Sequence, residues 1–310
     1  MKWVFFVLPY FLVLLVPLHS NALSNPDRRI ELAGAVIDVS FSPDMSNRDL
    51  SVSRVQILDR IENSARAVAS YFQGFPVSHL DIVVNPGGSN KVNGTAYSGS
   101  APMIILHIGR HTTLADLQKD WVIVHEMVHL AFPPMRSRHN WIEEGLATYI
   151  EPIVRVRAGL MAEKEAWHWL LTGTPKGLPE VGDRGLDFTS TWGRRYWGGA
   201  VYFLLADIKI REQSKNRFGI EHALRAIKAA GGTMQRPRTW SIVDTLEIGD
   251  RATKTSVLTQ LYHQMKNKPM AIDLDAIWRR LGVSLRNNKV YFNESAPQSW
   301  LRRSLIPTRP

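Results

Sequence analysis

Apolar residues along the chain recur at two spacings, and each spacing predicts its own element. Short runs at strand spacing cover Ala35 to Phe41, His79 to Val84 and Met103 to Ile108. The second run closes at Asn85-Pro86-Gly87-Gly88, a turn. Helical spacing covers Val52 to Phe72 and Leu114 to Phe132. After about Ala158 it returns at Ala162–Leu171, Tyr196–Ile210, Ile220–Ala230, Ser256–Lys266 and Leu274–Leu281, with a terminal strand at Val290–Phe292. Gly173 to Arg195 is rich in Gly, Pro, Asp and Thr and reads as a long loop, a length usually kept for function. The tail from Ser304 reads as mobile. The order strand, helix, strand, strand, helix, helix predicts an α+β chain: a small mixed sheet first, then a mainly helical region.

Within Leu114–Phe132 stands His125-Glu126-Met127-Val128-His129. Two histidines at i and i+4 lie on one helix face and can reach one metal ion, while Glu126 can touch a metal-bound water without ligating. Trp121 to Val124, Met127, Val128 and Leu130 make this helix apolar on nearly every side, so it is predicted to be buried. Buried imidazoles and a buried carboxylate are costly unless paired or bound to a metal. Zinc needs a third protein ligand and an open position. His139, a distant residue, or the acids of Trp141-Ile142-Glu143-Glu144-Gly145-Leu146-Ala147 could supply the ligand. Met135 stands where the third histidine of a metzincin would be.

Glu143-Glu144-Gly145-Leu146-Ala147 resembles the second zinc-helix segment of the gluzincin superfamily, in particular the aminopeptidase N and leukotriene hydrolase group. The resemblance implies a zincin-like, two-lobed catalytic fold in which His125, His129 and Glu144 hold Zn2+ and Glu126 is the catalytic base. Glu143 stands at the group's asparagine position, and the connection from His129 to Glu144 is shorter than in the aminopeptidases. Tyr196-Trp197-Gly198-Gly199-Ala200 resembles the group's Tyr-x-Lys-Gly-Ala segment, with Gly198 in place of the lysine. That match implies an oxyanion-stabilising role for Tyr196. The resemblance covers roughly residues 80 to 210. It implies lobes at 23–158, with the zinc-binding helices, and 159–310, carrying Tyr196. In the aminopeptidases a Gly-x-Met-Glu-Asn strand binds the substrate amine. Ser100 to Ile105 lacks that glutamate, and none occurs between Glu62 and Glu126. The expected activity is therefore that of a zinc metallopeptidase, an endopeptidase, acting on peptide or protein substrates. Strand Met103–Ile108 either pairs with an extended substrate or is an inner strand. The rival readings are a catalytically silent, metal-stabilised envelope protein that binds peptides or polymers, and a hydrolase that acts on non-peptide bonds.

Composition narrows the setting. Residues 1–22 combine Lys2, an apolar stretch from Trp3 to Leu18 and a Ser20-Asn21-Ala22 cleavage pattern, the signature of a secretory signal peptide. Export to the periplasm or beyond is the expectation. The absence of cysteine excludes disulfides, thiolate zinc sites and a cysteine nucleophile. The formal charge is +10, and loss of Lys2 with the leader brings it to +9. Such a balance allows weak association with anionic envelope surfaces. The basic residues are scattered and no nucleic-acid module accompanies them, so no nucleic-acid partner is expected. Trp167, His168 and Trp169 line a substrate pocket or serve helix packing.

Overall fold

The computed structural model describes residues 26–45, 50–88, 90–235 and 240–308. The signal-peptide expectation lies outside the described residues. The chain opens with a hairpin, β1 (Arg28–Leu32) and β2 (Ala35–Phe41). Its turn residues Ala33 and Gly34 both have positive φ, as the twist of a two-residue hairpin demands. Helix α1 (Arg54–Phe72) starts in a reciprocal capping box between Ser53 and Gln56. It carries the chain over to β3 (His79–Gly87), which pairs in parallel with β2. Two further strands follow, β4 (Val92–Tyr97) and β5 (Met103–Gly109). The sheet order is β1-β2-β3-β5-β4, with β5 parallel to β3 and β4 antiparallel to β5.

Strand β5 is thus an inner strand, paired on both sides, and has no free edge for a substrate. That corrects one of the two expectations for Met103–Ile108. The edge belongs to β4, which the sequence pattern did not announce. The predicted turn at residues 85–88 is also shorter than expected, since β3 runs on to Gly87.

The predicted helix Leu114–Phe132 is two helices, α2 (Leu114–Lys119) and α3 (Val122–His129). Asp120 breaks the run. Its carboxylate oxygens accept the amides of Val122 and Ile123, both at 3.1 Å, and so cap a second helix in mid-run. Helix α4 (Asn140–Ala158) ends at Gly159, φ 74°. The helices α5 (Glu163–Gly173), α6 (Trp192–Ser214), α7 (Ile220–Ala229), α8 (Ile242–Thr253), α9 (Val257–Met265) and α10 (Leu274–Leu281) follow. A hairpin of β6 (Val283–Arg286) and β7 (Lys289–Phe292) precedes α11 (Ser299–Leu305). Leu305 and Ile306 are buried, so residues 304–306 are packed where a mobile tail was expected.

One apolar core runs from Ile30 to Ile306 and crosses the expected lobe boundary at residue 158 without a break. Not all of the basic residues are solvated: Arg60, Arg155, Arg194, Arg211 and Arg302 are buried. Each meets a carboxylate or a backbone carbonyl. No helix among the described residues is long and apolar enough to cross a membrane.

Candidate metal centre

Every residue of α3 is buried, as its apolar flanks required. A helix of eight residues has little stability of its own, so packing and the Asp120 cap hold it. The approach to that cap is fixed from behind: Arg60 donates to the Asp120 carbonyl at 2.6 Å and Arg155 to the Lys119 carbonyl at 2.9 Å. Within α3 the i, i+4 spacing stacks the two imidazoles edge to face, 4.8 Å apart. Trp121 packs its ring against His125 at 5.0 Å.

Helix α4 brings Glu144 to the pair. Its Oε2 lies 3.3 Å from His125 Nε2 and 3.4 Å from His129 Nε2. The three side chains are 3 %, 9 % and 17 % exposed. An imidazole lone pair and a carboxylate oxygen are both acceptors, so they converge only around a proton or a cation. Charge-assisted hydrogen bonds are usually about 2.7–2.9 Å. Ligand atoms held about 2.0–2.2 Å from a tetrahedral zinc stand about 3.3–3.5 Å from each other, and the observed gaps match that spacing. The donor set of two imidazole nitrogens and one carboxylate oxygen fits a zinc ion.

The three groups also shift one another's titration. Burial pushes His125 below its ordinary pKa, only partly offset by Glu144. Burial also works to lower His129, but the hydrogen bond and charge of Glu144 outweigh it and raise His129 to about 9. Burial favours a neutral Glu144, yet the two histidines hold its carboxylate well below the usual range. Burial likewise raises Glu143 to about 7, with the His129 charge opposing.

Glu126 points from the same helix toward β4. Its Oε2 accepts the Ala96 amide at 2.9 Å. Gly94 makes room for it: a Cβ there would stand 2.8 Å from Glu126 Cγ and 2.9 Å from Val122 Cγ1. Tyr196 arrives on α6, its ring parallel to His125 with centroids 6.0 Å apart. Burial, and then the Glu144 charge and hydrogen bond, push the phenol well above its ordinary pKa, so it stays a proton donor. Two glycines set the distance between Glu144 and Tyr196. A Cβ on Gly145 would fall inside the backbone of Gly199, and one on Gly199 would strike the Trp141 carbonyl. Helices α4 and α6 therefore cross backbone to backbone, one residue after Glu144 and three after Tyr196.

A cleft of about 600 Å³ opens on this group, lined among others by Lys91, Gly94, Lys119, His125, Glu126 and Tyr196. The strand beside α3 is β4 and not the expected Ser100–Ile105 segment, and it too carries no glutamate. His139 is not with the other histidines; its Nδ1 meets Asp187 at 2.9 Å. Trp167 is fully buried against Trp278, and Trp169 packs between Trp121 and Trp197, which makes both packing residues. Asp38, His79 and Asp81 also lie within reach of one ion, but both Asp38 oxygens are taken by Arg29 at 2.9 Å.

No family model and no curated protein matches this sequence. Solved structures do match. An aminopeptidase N family protein from Idiomarina loihiensis superposes with a TM-score of 0.62 at 14% identity, over 84% of this chain and 49% of that one. A two-domain M1 zinc metallopeptidase bound to L-arginine gives 0.51 at 14% identity, over 79% and 52%. An M1 zinc metallopeptidase from Deinococcus radiodurans gives 0.50 at 12% identity, over 80% and 52%. The chain spans about half the length of the solved structures it matches.

Proposed function

From the gluzincin-type peptidase fold of this chain, we propose that it is a zinc-dependent endopeptidase whose metal is held by His125, His129 and Glu144. The observation that carries the reading is the spacing of the three donor atoms, 3.3 and 3.4 Å from the shared Glu144 oxygen. A bound zinc supplies Lewis acidity and brings the pKa of water toward neutrality. Glu126 takes the proton of the attacking water and later delivers it to the leaving amine. Its carboxylate is already oriented by the Ala96 amide. The Tyr196 hydroxyl donates to the oxyanion as charge develops there. Its raised pKa suits that task, because the proton stays on the oxygen at neutral pH.

Substrate is held along β4. As the edge strand, it turns the N–H and C=O of every other residue away from β5, and an extended peptide can pair there. The absence of a glutamate on β4 leaves a free α-amine without that anchor, which favours cleavage within a chain. The apolar leader of residues 1–22 supports action outside the cytoplasm.

The test joins metal content to cleavage of an unfolded protein. One zinc per chain is expected, with internal fragments that vanish on chelation and return with zinc. Stoichiometric zinc without chelator-sensitive cleavage would leave a binding protein instead.

Metal uptake has a proton signature. His129 stays protonated in the metal-free protein until about pH 9. Zinc needs the neutral imidazole, so binding at pH 7 expels about one proton, and fewer as pH rises through 9. Calorimetry in buffers of different ionisation enthalpy counts that proton. Zero protons at pH 7 would contradict the assignment of His129. In the metal-free fold the same pair acts with opposite signs at its two ends. The raised His129 stabilises fully below about 6.5 and loses its effect as pH climbs through about 9. The depressed Glu144 stabilises above about 4.5 and loses its effect in stronger acid.

A further inference from the structure

Asp187 sits in the loop that leads into α6, nine residues before Tyr196. Its side chain is 11 % exposed. One oxygen accepts from His139 Nδ1 and from Trp141 Nε1, both at 2.9 Å. The other accepts from the Tyr262 hydroxyl at 3.3 Å. His139 caps α4 and Trp141 lies in its first turn, five and three residues before Glu144. Tyr262 belongs to α9 and stacks on Trp141. One carboxylate therefore ties the start of the Glu144 helix, the approach to the Tyr196 helix and a third helix together.

The loop is pinned elsewhere as well. The Asp187 amide donates to the Lys266 carbonyl at 2.8 Å. Gly185, φ 100°, lies so close to the backbone of Asn267 and Lys268 that no side chain fits. Arg194 pairs with Asp183 at 2.7 Å. Val181, before these pins, and Phe188, between them, are exposed. Leu186 is buried beside Gly198, two residues after Tyr196, so the pins on either side of Leu186 decide how the loop meets the start of α6.

We propose that Asp187 is a positioning residue that keeps Tyr196 aligned on the metal centre by fixing the loop against the start of α4. This rests on the reading that Tyr196 assists peptide cleavage. The experiment is a double-mutant cycle with a structural readout. Asp187→Ala should lower kcat about 30-fold with KM within twofold, and Asp187→Asn, which keeps an acceptor oxygen, should retain a third or more of the activity. In the Tyr196→Phe background the same Asp187→Ala change should cost less than about threefold, because the group it positions is gone. Tyr262→Phe keeps the ring and removes one donor. It should lose about threefold in kcat, also erased by Tyr196→Phe, and it serves if Asp187→Ala does not fold. Amide hydrogen exchange on the same proteins should speed up about tenfold in residues 178–195 of Asp187→Ala and stay unchanged in α3. An equal loss in both backgrounds, or unchanged exchange in the loop, overturns the proposal. A wild-type chain without chelator-sensitive cleavage sinks the peptidase reading instead, and the exchange measurement still judges the pin.

Discussion

Replacing Glu126 with glutamine should leave fold and zinc content intact and lower turnover by about 10³-fold, the range that a positioned general base supplies. The reasoning is geometric. Glutamine has the same shape, and its carbonyl oxygen can still accept the Ala96 amide that Glu126 accepts at 2.9 Å. It also fits the space that Gly94 leaves open. What it lacks is the capacity to take a proton from water. Glu126 is not one of the three residues whose donor atoms meet, so metal content should stay at one per chain. Metal analysis and kcat on a single preparation check both halves. A variant with wild-type kcat would remove Glu126 from the chemistry.

The Gly145→Ala variant should lose both stability and metal affinity. The new methyl would stand 2.8 Å from the Ala200 amide nitrogen and closer still to the Gly199 backbone. Flexible side chains can yield to a methyl; two crossing helices yield only by moving apart. Overpacking of this kind costs about 3 kcal/mol. For a chain of this size that lowers Tm by roughly 6–12 °C. The separation opens one residue away from Glu144, so the carboxylate retreats from the two imidazoles. Zinc affinity should fall by about 10- to 100-fold, as when the support of a ligand is disturbed. Thermal melts of metal-free protein and competition with a chromogenic chelator measure the two effects. Wild-type values in both would mean that the crossing does not set the spacing of Glu144.

What the sequence made legible was local. The bounds of β2 and α10 follow from their periodicity, because one face of each meets the core; in β2 the alternation holds up to Val39. The histidine pair was legible for the same reason: i and i+4 suffice. Strand β4 was not. Its buried face is short, Gly94 supplies no side chain, and Asn93, Thr95 and Tyr97 turn outward. The break at Asp120 was masked by apolar residues on both sides of it. Helix α8 also went unread, and β1 was hidden by its charges.

Within the candidate site, the three residues whose donor atoms meet were visible and the residues that set their distances were not. Gly145 stood in a legible motif, but its reason is Gly199, fifty-four residues on. Ala96 meets Glu126, and Asp187 meets Trp141, through the tertiary fold alone. No spacing rule along the chain anticipates such contacts.

Gly94, packed under the Glu126 side chain, has a consequence for assembly. Side chains alternate along a strand, so a one-residue slip between β4 and β5 exchanges its two faces. Asn93 or Thr95 would then turn toward α3, at a place where even a single methyl is too large. A misaligned hairpin is thus expelled by α3 itself, which acts as a gauge on the folding of the edge strand.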